Sequence, residues 1–367
     1  MRILVPLHDA FGGRGGIAKF NRDFLQALCA HPKVTEVVCL PRTIVEDLGP
    51  MPAKLDFRTY SAGSKARYGA AILATLAERR WFDLIVCGHL NLVPLMRPFE
   101  VRGAAPLGLI LHGVDAWAPH GGAQTRRGLA RLDWFLSVSR YTAEKFLSWT
   151  HLDPAKSVII PNSVDLARFT PGPKPDYLAE RYGLKGRTVL MGMARLDARE
   201  KYKGFDEVIE LLPELAKTRP DIAYMICGDG TDRARLEAKA RDLGVADRVV
   251  FAGWIDEAEK VDHYRLADCF LLAGWGEGFG IVLIEAMACG VPAIASNLDA
   301  STEAVGDGSL GIVVNPKDPK DLKRGIEESL ARPRPYVPAG LETFSDKAYN
   351  DRIATLILDP LAAKLKR

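Results

Sequence analysis

The 367-residue sequence has no CxxC pair and no His–Cys cluster at zinc-binding spacing. Its six cysteines (Cys29, Cys39, Cys87, Cys227, Cys269, Cys289) therefore imply neither a structural metal nor a disulfide framework. Scattered through apolar context, they read as small hydrophobes of a reducing, cytosolic compartment. No apolar stretch approaches the ~18 residues a spanning helix needs. The opening run MRILVPLHDAFGG is too short for a signal peptide, so any membrane contact is expected to be peripheral. Asp-x-Asp is absent as well, and with it the usual carboxylates that hold Mg²⁺ or Mn²⁺ against a diphosphate. The net charge is only +3, which gives no general affinity for nucleic acid.

What is present is globular. Hydrophobic residues make up 48% of the chain and charged ones 26%, and the length suits two domains rather than one. Charge is unevenly placed: residues 1–165 carry 20 Lys+Arg against 14 Asp+Glu, and the remainder 29 against 32. A basic first half suits an anionic partner such as a lipid headgroup or a phosphate-bearing acceptor, and equally an ordinary solvated surface with some bias.

Short β-branched-rich runs alternate with amphipathic segments. RILVPL, VTEVVCL, FDLIVCG, LGLILHG, WFLSVS and SVIIPN read as buried parallel strands. Helical patterns such as GIAKFNRDFLQALCAH and YTAEKFLSWT separate several of them. After RFTPGPKPD, which has linker chemistry, the rhythm restarts with TVLMGMA, IAYMICG, RVVFAGW, CFLLAGW, VPAIAS and LGIVVN. The expected fold class is therefore α/β, with two Rossmann-like parallel-sheet domains, residues 1–165 and 166–345, facing across a cleft. The last helical pattern, within 346–367, is free to pack back on the first domain.

Five segments carry chemistry. EGFGIVLIEAMACGVPAIAS opens with a Gly-rich loop (Glu277, Gly278, Phe279, Gly280) at a helix start, where backbone N–H groups cradle anions or hydroxyls. Glu285, inside the apolar run IVLIEAMA, needs a partner, either ligand hydroxyls or an internal ion pair. In MARLDAREKYKGFDEVIELL, Arg195 ends a strand and Lys203 precedes Gly204. Two cations at such a turn can clamp a diphosphate, and Lys201 competes with Lys203 for the role. GGRGGIAKF, with Gly15 and Gly16, lets backbone approach a ligand and is not a GxGxxG of dinucleotide type. LILHGVDAW places His112 and Asp115 straight after a strand. CGDG, with Gly228 and Gly230, ends another strand. In PNSVDLARF, Asn162 and Asp165 read as turn-formers.

The E-x7-E pair written EGFG…EAMACGxPxIAS resembles the signature of the family 4 glycosyltransferases, and the likeness extends over nearly the whole chain. It implies the GT-B fold, a nucleotide-sugar donor, retention of anomeric configuration and no metal or other cofactor. By resemblance, Glu277 and the amides of Gly278, Phe279 and Gly280 meet the donor sugar, and Glu285 holds the ribose. Arg195 and Lys203 stabilise the leaving diphosphate, His112 lies near the sugar, and Gly15 and Gly16 lie against donor phosphates and acceptor. Gly228 and Gly230 approach the base or ribose. The implied partners are a nucleotide-sugar and a glycan or lipid-linked acceptor, in cell-surface polysaccharide or glycolipid synthesis. A nucleotide-sugar epimerase of the same fold and a non-catalytic nucleotide-sugar binding protein are the alternatives. SKARYGAAILATLAERRW, with Lys65, Arg67, Arg79, Arg80 and Trp81, reads either as a packing helix or as a peripheral contact with an anionic membrane.

Overall fold

The protein is described by a computed structural model over residues 1–102 and 105–364, with the side chains of 100–102 excepted. The chain divides into two compact units, Met1–Ser163 with Asp346–Arg367, and Val164–Ser345.

The first unit is built on seven parallel strands: β1 Arg2–Leu7, β2 Glu36–Pro41, β3 Leu55–Phe57, β4 Leu84–Cys87, β5 Leu107–Leu111, β6 Trp134–Ser137 and β7 Ser157–Ile159. Their order is β3-β2-β1-β4-β5-β6-β7. Strand β1 is buried along its whole length, as a parallel strand covered on both faces must be. Helix Gly15–Ala30 turns Ala18, Phe20, Phe24, Leu25 and Leu28 inward at helical spacing. The core gathers Leu4, Ile85, Leu109 and Phe135 from the sheet with Tyr68, Ile72 and Phe146 from helices. Helix Asp346–Ile353 belongs to this unit, where Tyr349 packs edge-on to Phe20 at 5.9 Å.

The second unit has six parallel strands: β8 Thr188–Met193, β9 Ile222–Cys227, β10 Val249–Gly253, β11 Cys269–Leu271, β12 Ala293–Ser296 and β13 Ile312–Val314. Their order is β10-β9-β8-β11-β12-β13. Leu190, Ile226, Leu271 and Ile294 meet Val208, Leu212 and Ile326 in its core. Local signals set the helix starts: Asp318 accepts the Lys320 N–H at 3.0 Å and Pro319 fills the first helical position.

The α/β fold class read from the sequence is the observed one, and every strand it assigned is present. It missed β3, a three-residue edge strand only partly buried, too short to show a period. The stretch RFTPGPKPD is not slack linker. Arg265 donates to Thr170 O at 3.0 Å and to Thr170 Oγ1 at 2.9 Å, and Lys174 pairs with Asp268 at 2.5 Å, so the segment is pinned to the second unit.

In both sheets the strand order reverses beside the first strand, between β1 and β4 and between β8 and β11. In open parallel sheets ligands bind in the crevice outside the carboxyl ends of the strands on either side of such a reversal.

Candidate functional site

In the second unit the loops after β8 and β11 interlock at this crevice. Gly204 has φ 82°, and a Cβ there would sit 1.9 Å from Ala273 O. The Trp275 N–H donates to Tyr202 O at 2.9 Å. A Cβ on Gly276 would strike the Tyr202 ring at 2.2 Å. These glycines are spent on bringing two loops together, and the result is an ion pair across them. Lys203 Nζ lies 2.6 Å from Glu277 Oε1, with side chains only 16% and 20% exposed. Burial works against the Lys203 charge, and Glu277 overrides it, so its pKa lies above the ordinary lysine value. Lys201 is exposed, so of the two competing lysines the structure places Lys203 in the crevice.

Arg195 follows β8 but is paired with Glu200 on its own loop, and its side chain stays 65% exposed. The hydrogen bond to Glu200 raises its pKa. Glu200 also acts on Lys203, and each of the two cations has a carboxylate of the chain as its partner. Asp299, 2% exposed, accepts the Glu277 N–H at 2.8 Å and the Ser301 hydroxyl at 2.6 Å. Burial pushes its carboxyl up to about 6, with the charge of Glu277 adding to the shift.

Glu285 lies on helix Ile281–Ala288 and is 0% exposed. Of the two partners open to it, the structure supplies the internal one. Lys260 Nζ is 3.0 Å from Oε1 and 2.9 Å from Oε2, and the Tyr264 hydroxyl donates to Oε2 at 2.7 Å. Burial opposes the Lys260 charge, but Glu285 and Glu257 outweigh it and raise the pKa.

Other residues expected at the donor are tightly packed within the chain. Phe279 is 2% exposed and stacks edge-on with Phe344 at 5.5 Å, which leaves its backbone rather than its ring for a ligand. Gly280, φ 88°, starts helix Ile281–Ala288 without a side-chain cap, and Gly278 is half-buried beside it. Gly228 and Gly230, read as approaching a nucleotide, are needed by the chain itself. A Cβ would meet Ala194 O at 1.9 Å from the first and Leu196 O at 2.2 Å from the second. They seat the loop that carries Arg195. Asp165 is a turn-former as read, accepting the Ala167 and Arg168 N–H groups at 2.9 and 3.1 Å.

In the first unit the glycine loop splits by role. A Cβ on Gly12 would meet Glu46 O at 2.6 Å, whereas one on Gly15, φ 83°, or Gly16 would face open space at the start of helix Gly15–Ala30, which has no side-chain cap. His112 follows β5 and is not alone. His8 follows β1 and His89 follows β4, with ring centroids 5.6 Å apart for His8–His89 and 6.2 Å for His89–His112. The sequence reading missed both, although each stands within two residues of a strand's carboxyl end. Burial drives the His89 pKa down to about 3, helped by His112 and His8. Burial likewise lowers His112 to about 4, which a hydrogen bond to Gly88 O partly offsets. Asp115 is pushed up to about 7 by burial, against backbone hydrogen bonds, and its Oδ2 is buried without a hydrogen-bond partner. All six cysteines are buried and none is in a disulfide.

Two family models match the chain: "Glycosyltransferase Family 4" over residues 14–168 and "Glycosyl transferases group 1" over residues 185–350. A GDP-mannose-dependent alpha-(1-6)-phosphatidylinositol monomannoside mannosyltransferase of Mycolicibacterium smegmatis is 39% identical over 213 residues, 56% of this chain and 54% of that protein. A phosphatidyl-myo-inositol mannosyltransferase of the same organism is 40% identical over 166 residues, 45% of this chain and 40% of that protein. The chain thus spans about half the length of the curated relatives it matches. Among solved structures, Anabaena HepE in complex with UDP shares the fold with a TM-score of 0.76 at 19% identity, covering 97% of this chain and 99% of that one.

Proposed function

The chain belongs to the glycosyltransferases of group 1 and family 4, and we propose that it moves a hexose-type sugar from a GDP- or UDP-sugar to a hydroxyl of a glycan or lipid-linked glycan. The observation that carries this reading is the Lys203–Glu277 pair, which joins the loops after β8 and β11 at the switch point of the second sheet. A cation and a carboxylate at that place match the two ends of a nucleotide-sugar: diphosphate for Lys203, sugar hydroxyls for Glu277. The names of the mycobacterial relatives favour GDP-mannose as the donor and an inositol-containing lipid as the acceptor.

On this reading the first unit serves the acceptor and the second the donor. The incoming diphosphate replaces Glu277 and Glu200 as the anion facing Lys203 and Arg195. The acceptor hydroxyl attacks the anomeric carbon from the face the diphosphate leaves. The bond from carbon to phosphate oxygen breaks, the new glycosidic bond forms, and the hydroxyl proton passes to the departing phosphate. Configuration is retained. Lys203, Arg195 and the amides of 278–280 stabilise the charge that develops on the leaving group. Two protein cations do what a metal ion does elsewhere, so transfer proceeds without metal or further cofactor. Glu285 reaches the ribose only by sharing its carboxylate between Lys260 and the ligand.

Work at the cytoplasmic face of a membrane follows from the acceptor. Among the described residues no helix is long and apolar enough to cross a bilayer. Helix Lys65–Leu76 buries Tyr68, Ala71, Ile72 and Thr75 and exposes Lys65, Arg67 and Leu73, the last at 68%. That outer face suits an anionic lipid surface. Trp81 is not part of it, since it packs against Phe82 and Phe99.

The test is turnover. Purified protein in EDTA is offered GDP-mannose, UDP-glucose and ADP-glucose with a phosphatidylinositol acceptor, and free nucleotide is measured. Release from one donor, reduced about 100-fold or more in Lys203→Ala, is expected. Release that appears only when divalent metal is restored would refute metal independence. No release with any donor would refute the transferase reading.

A further inference from the structure

In the second unit the loop after β12 holds the backbone of Glu277 on both sides. Asp299 Oδ2 accepts the Glu277 N–H at 2.8 Å, and the Ala300 N–H donates to Glu277 O at 3.1 Å. The place of the Glu277 carboxylate, 2.6 Å from Lys203 Nζ, is thus set in part by a residue that is itself 2% exposed. Asp299 lies in a buried polar network with Ser296 and Ser301, both 0% exposed. Its Oδ1 accepts the Ser301 N–H at 2.9 Å and the Ser301 hydroxyl at 2.6 Å. The same hydroxyl oxygen lies 3.2 Å from Ser296 O and accepts the Ser296 N–H at 3.1 Å. A hydroxyl has one proton to give, and here it has two acceptors. With Asp299 ionised, it donates to Oδ1. With Asp299 protonated, Oδ1–H donates to Ser301 Oγ and the hydroxyl turns to Ser296 O. Either protonation state keeps its hydrogen bonds with every heavy atom in place.

The charged group facing Asp299 is Glu277, from the loop after β11, and Lys203, from the loop after β8, pairs with Glu277. Strand β12 and helix Ser301–Ala304 bring Ser296 and Ser301 to it. Two neighbouring carboxylates resist ionising together, and the Lys203 ammonium offsets that repulsion. A diphosphate that takes Lys203 over leaves Glu277 without its cation and adds negative charge of its own. Of the two carboxyls, Glu277 keeps 20% of its side chain exposed and Asp299 is closed off. Burial penalises the charged form, so the proton goes to Asp299.

We propose that Asp299 is a positioning residue for Glu277, and that the Asp299–Ser301–Ser296 network takes up a proton from solvent when a nucleotide-sugar diphosphate draws Lys203 away from Glu277. The link to the donor rests on the transferase reading, whereas the proton site is testable in the ligand-free chain. Binding of GDP-mannose and UDP-glucose, whose diphosphates do not titrate near neutrality, is measured by calorimetry in PIPES and in imidazole. The change of observed heat with buffer counts the protons. At about pH 6.5 the wild type is expected to take up about 0.3 proton or more per donor bound. Asp299→Asn should bind the donor several-fold more weakly and lose the uptake. A wild type that binds a donor without taking up protons, or an Asp299→Asn variant that keeps the uptake, would overturn the proton site.

The full-length chain labelled with ¹³C-carboxyl aspartate, titrated without donor, needs neither that ligand nor Asp299→Asn. The Asp299 carboxyl, pushed up to about 6 in the wild type by burial, should titrate at higher pH in two variants. Ser301→Ala removes a hydrogen bond that favours the ionised form, and Lys203→Met leaves Glu277 without its cation. An Asp299 midpoint in Lys203→Met equal to that of the wild type would overturn the coupling, whatever donor binding shows. A wild-type protein that binds no donor would sink the transferase reading, with these titrations still deciding the proton site.

Discussion

Replacing Lys260 by Met removes the cation from a buried pair and leaves Glu285, 0% exposed, with the Tyr264 hydroxyl as its donor. Both ammonium-to-carboxylate distances, 3.0 and 2.9 Å, are lost at once. Deleting one partner of a buried ion pair costs about 3–5 kcal/mol, because the charge that remains is desolvated without compensation. For a unit of this size each kcal/mol lowers Tm by roughly 2–4 °C, so Lys260→Met should melt about 10 °C below the wild type. The double variant Lys260→Met, Glu285→Gln keeps a hydrogen-bond acceptor for Tyr264 and removes the orphaned charge. It should recover most of the loss, giving a coupling of about 2 kcal/mol or more. Urea unfolding followed by circular dichroism, compared between the variants and the wild type, measures the loss. A Lys260→Met variant within about 1 kcal/mol of wild type would refute the reasoning, because such a small loss means water or rearrangement already compensates Glu285. So would a double variant no more stable than the single one.

Gly204→Ala should be worse than an ordinary loop change. It combines a positive φ with a Cβ 1.9 Å from Ala273 O, which implies about 2–4 kcal/mol; calorimetry decides, and an unchanged melt contradicts the interlocked loops. Acid should weaken the first unit. The folded-state pKa values of His89 and His112 are about 3 and about 4, below the unfolded value, so the unfolded chain binds more protons in between. The stability these two groups contribute is full above about pH 6.5 and falls as pH drops, by up to about 1.4 kcal/mol per pH unit for each, and Asp115 in the same unit, raised to about 7, offsets about one group's share with the opposite sign. Urea midpoints that stay flat or rise between pH 6.5 and 5 would contradict this. Leu73→Glu should weaken flotation with phosphatidylserine-containing vesicles several-fold without altering the far-UV circular dichroism spectrum, and equal flotation would remove helix Lys65–Leu76 from the membrane-facing account.

Strand positions were legible because parallel strands buried on both faces are written as uninterrupted apolar runs, and β3 was missed because three half-buried edge residues carry no such run. Glu277 and Lys203 were legible from their motifs. Glycine roles were not separable, since a ligand and a crossing backbone both require a missing Cβ. Gly228, Gly230 and Gly204 serve backbone approach, while Gly15 and Gly16 stay open. The partner of Glu285 was hidden for a different reason. Lys260 and Tyr264 share one helix face at i and i+4, but nothing in sequence says that this face meets helix Ile281–Ala288. His8 and His89 left a usable signal, since RILVPLH, FDLIVCGH and LGLILH all place a histidine just past a strand. Recognising it needs the three strands to be neighbours, which is a property of topology.

The most direct test of the donor site is calorimetric binding of GDP and UDP, in EDTA, to wild-type protein and to Lys203→Met. The account predicts saturable, metal-independent binding of at least one nucleoside diphosphate, with Kd raised tenfold or more by loss of a charge-assisted contact worth about 1.5–3 kcal/mol. Equal affinity in the two proteins, or no binding to either, would contradict the assignment of the Lys203–Glu277 crevice as the place where the donor sits.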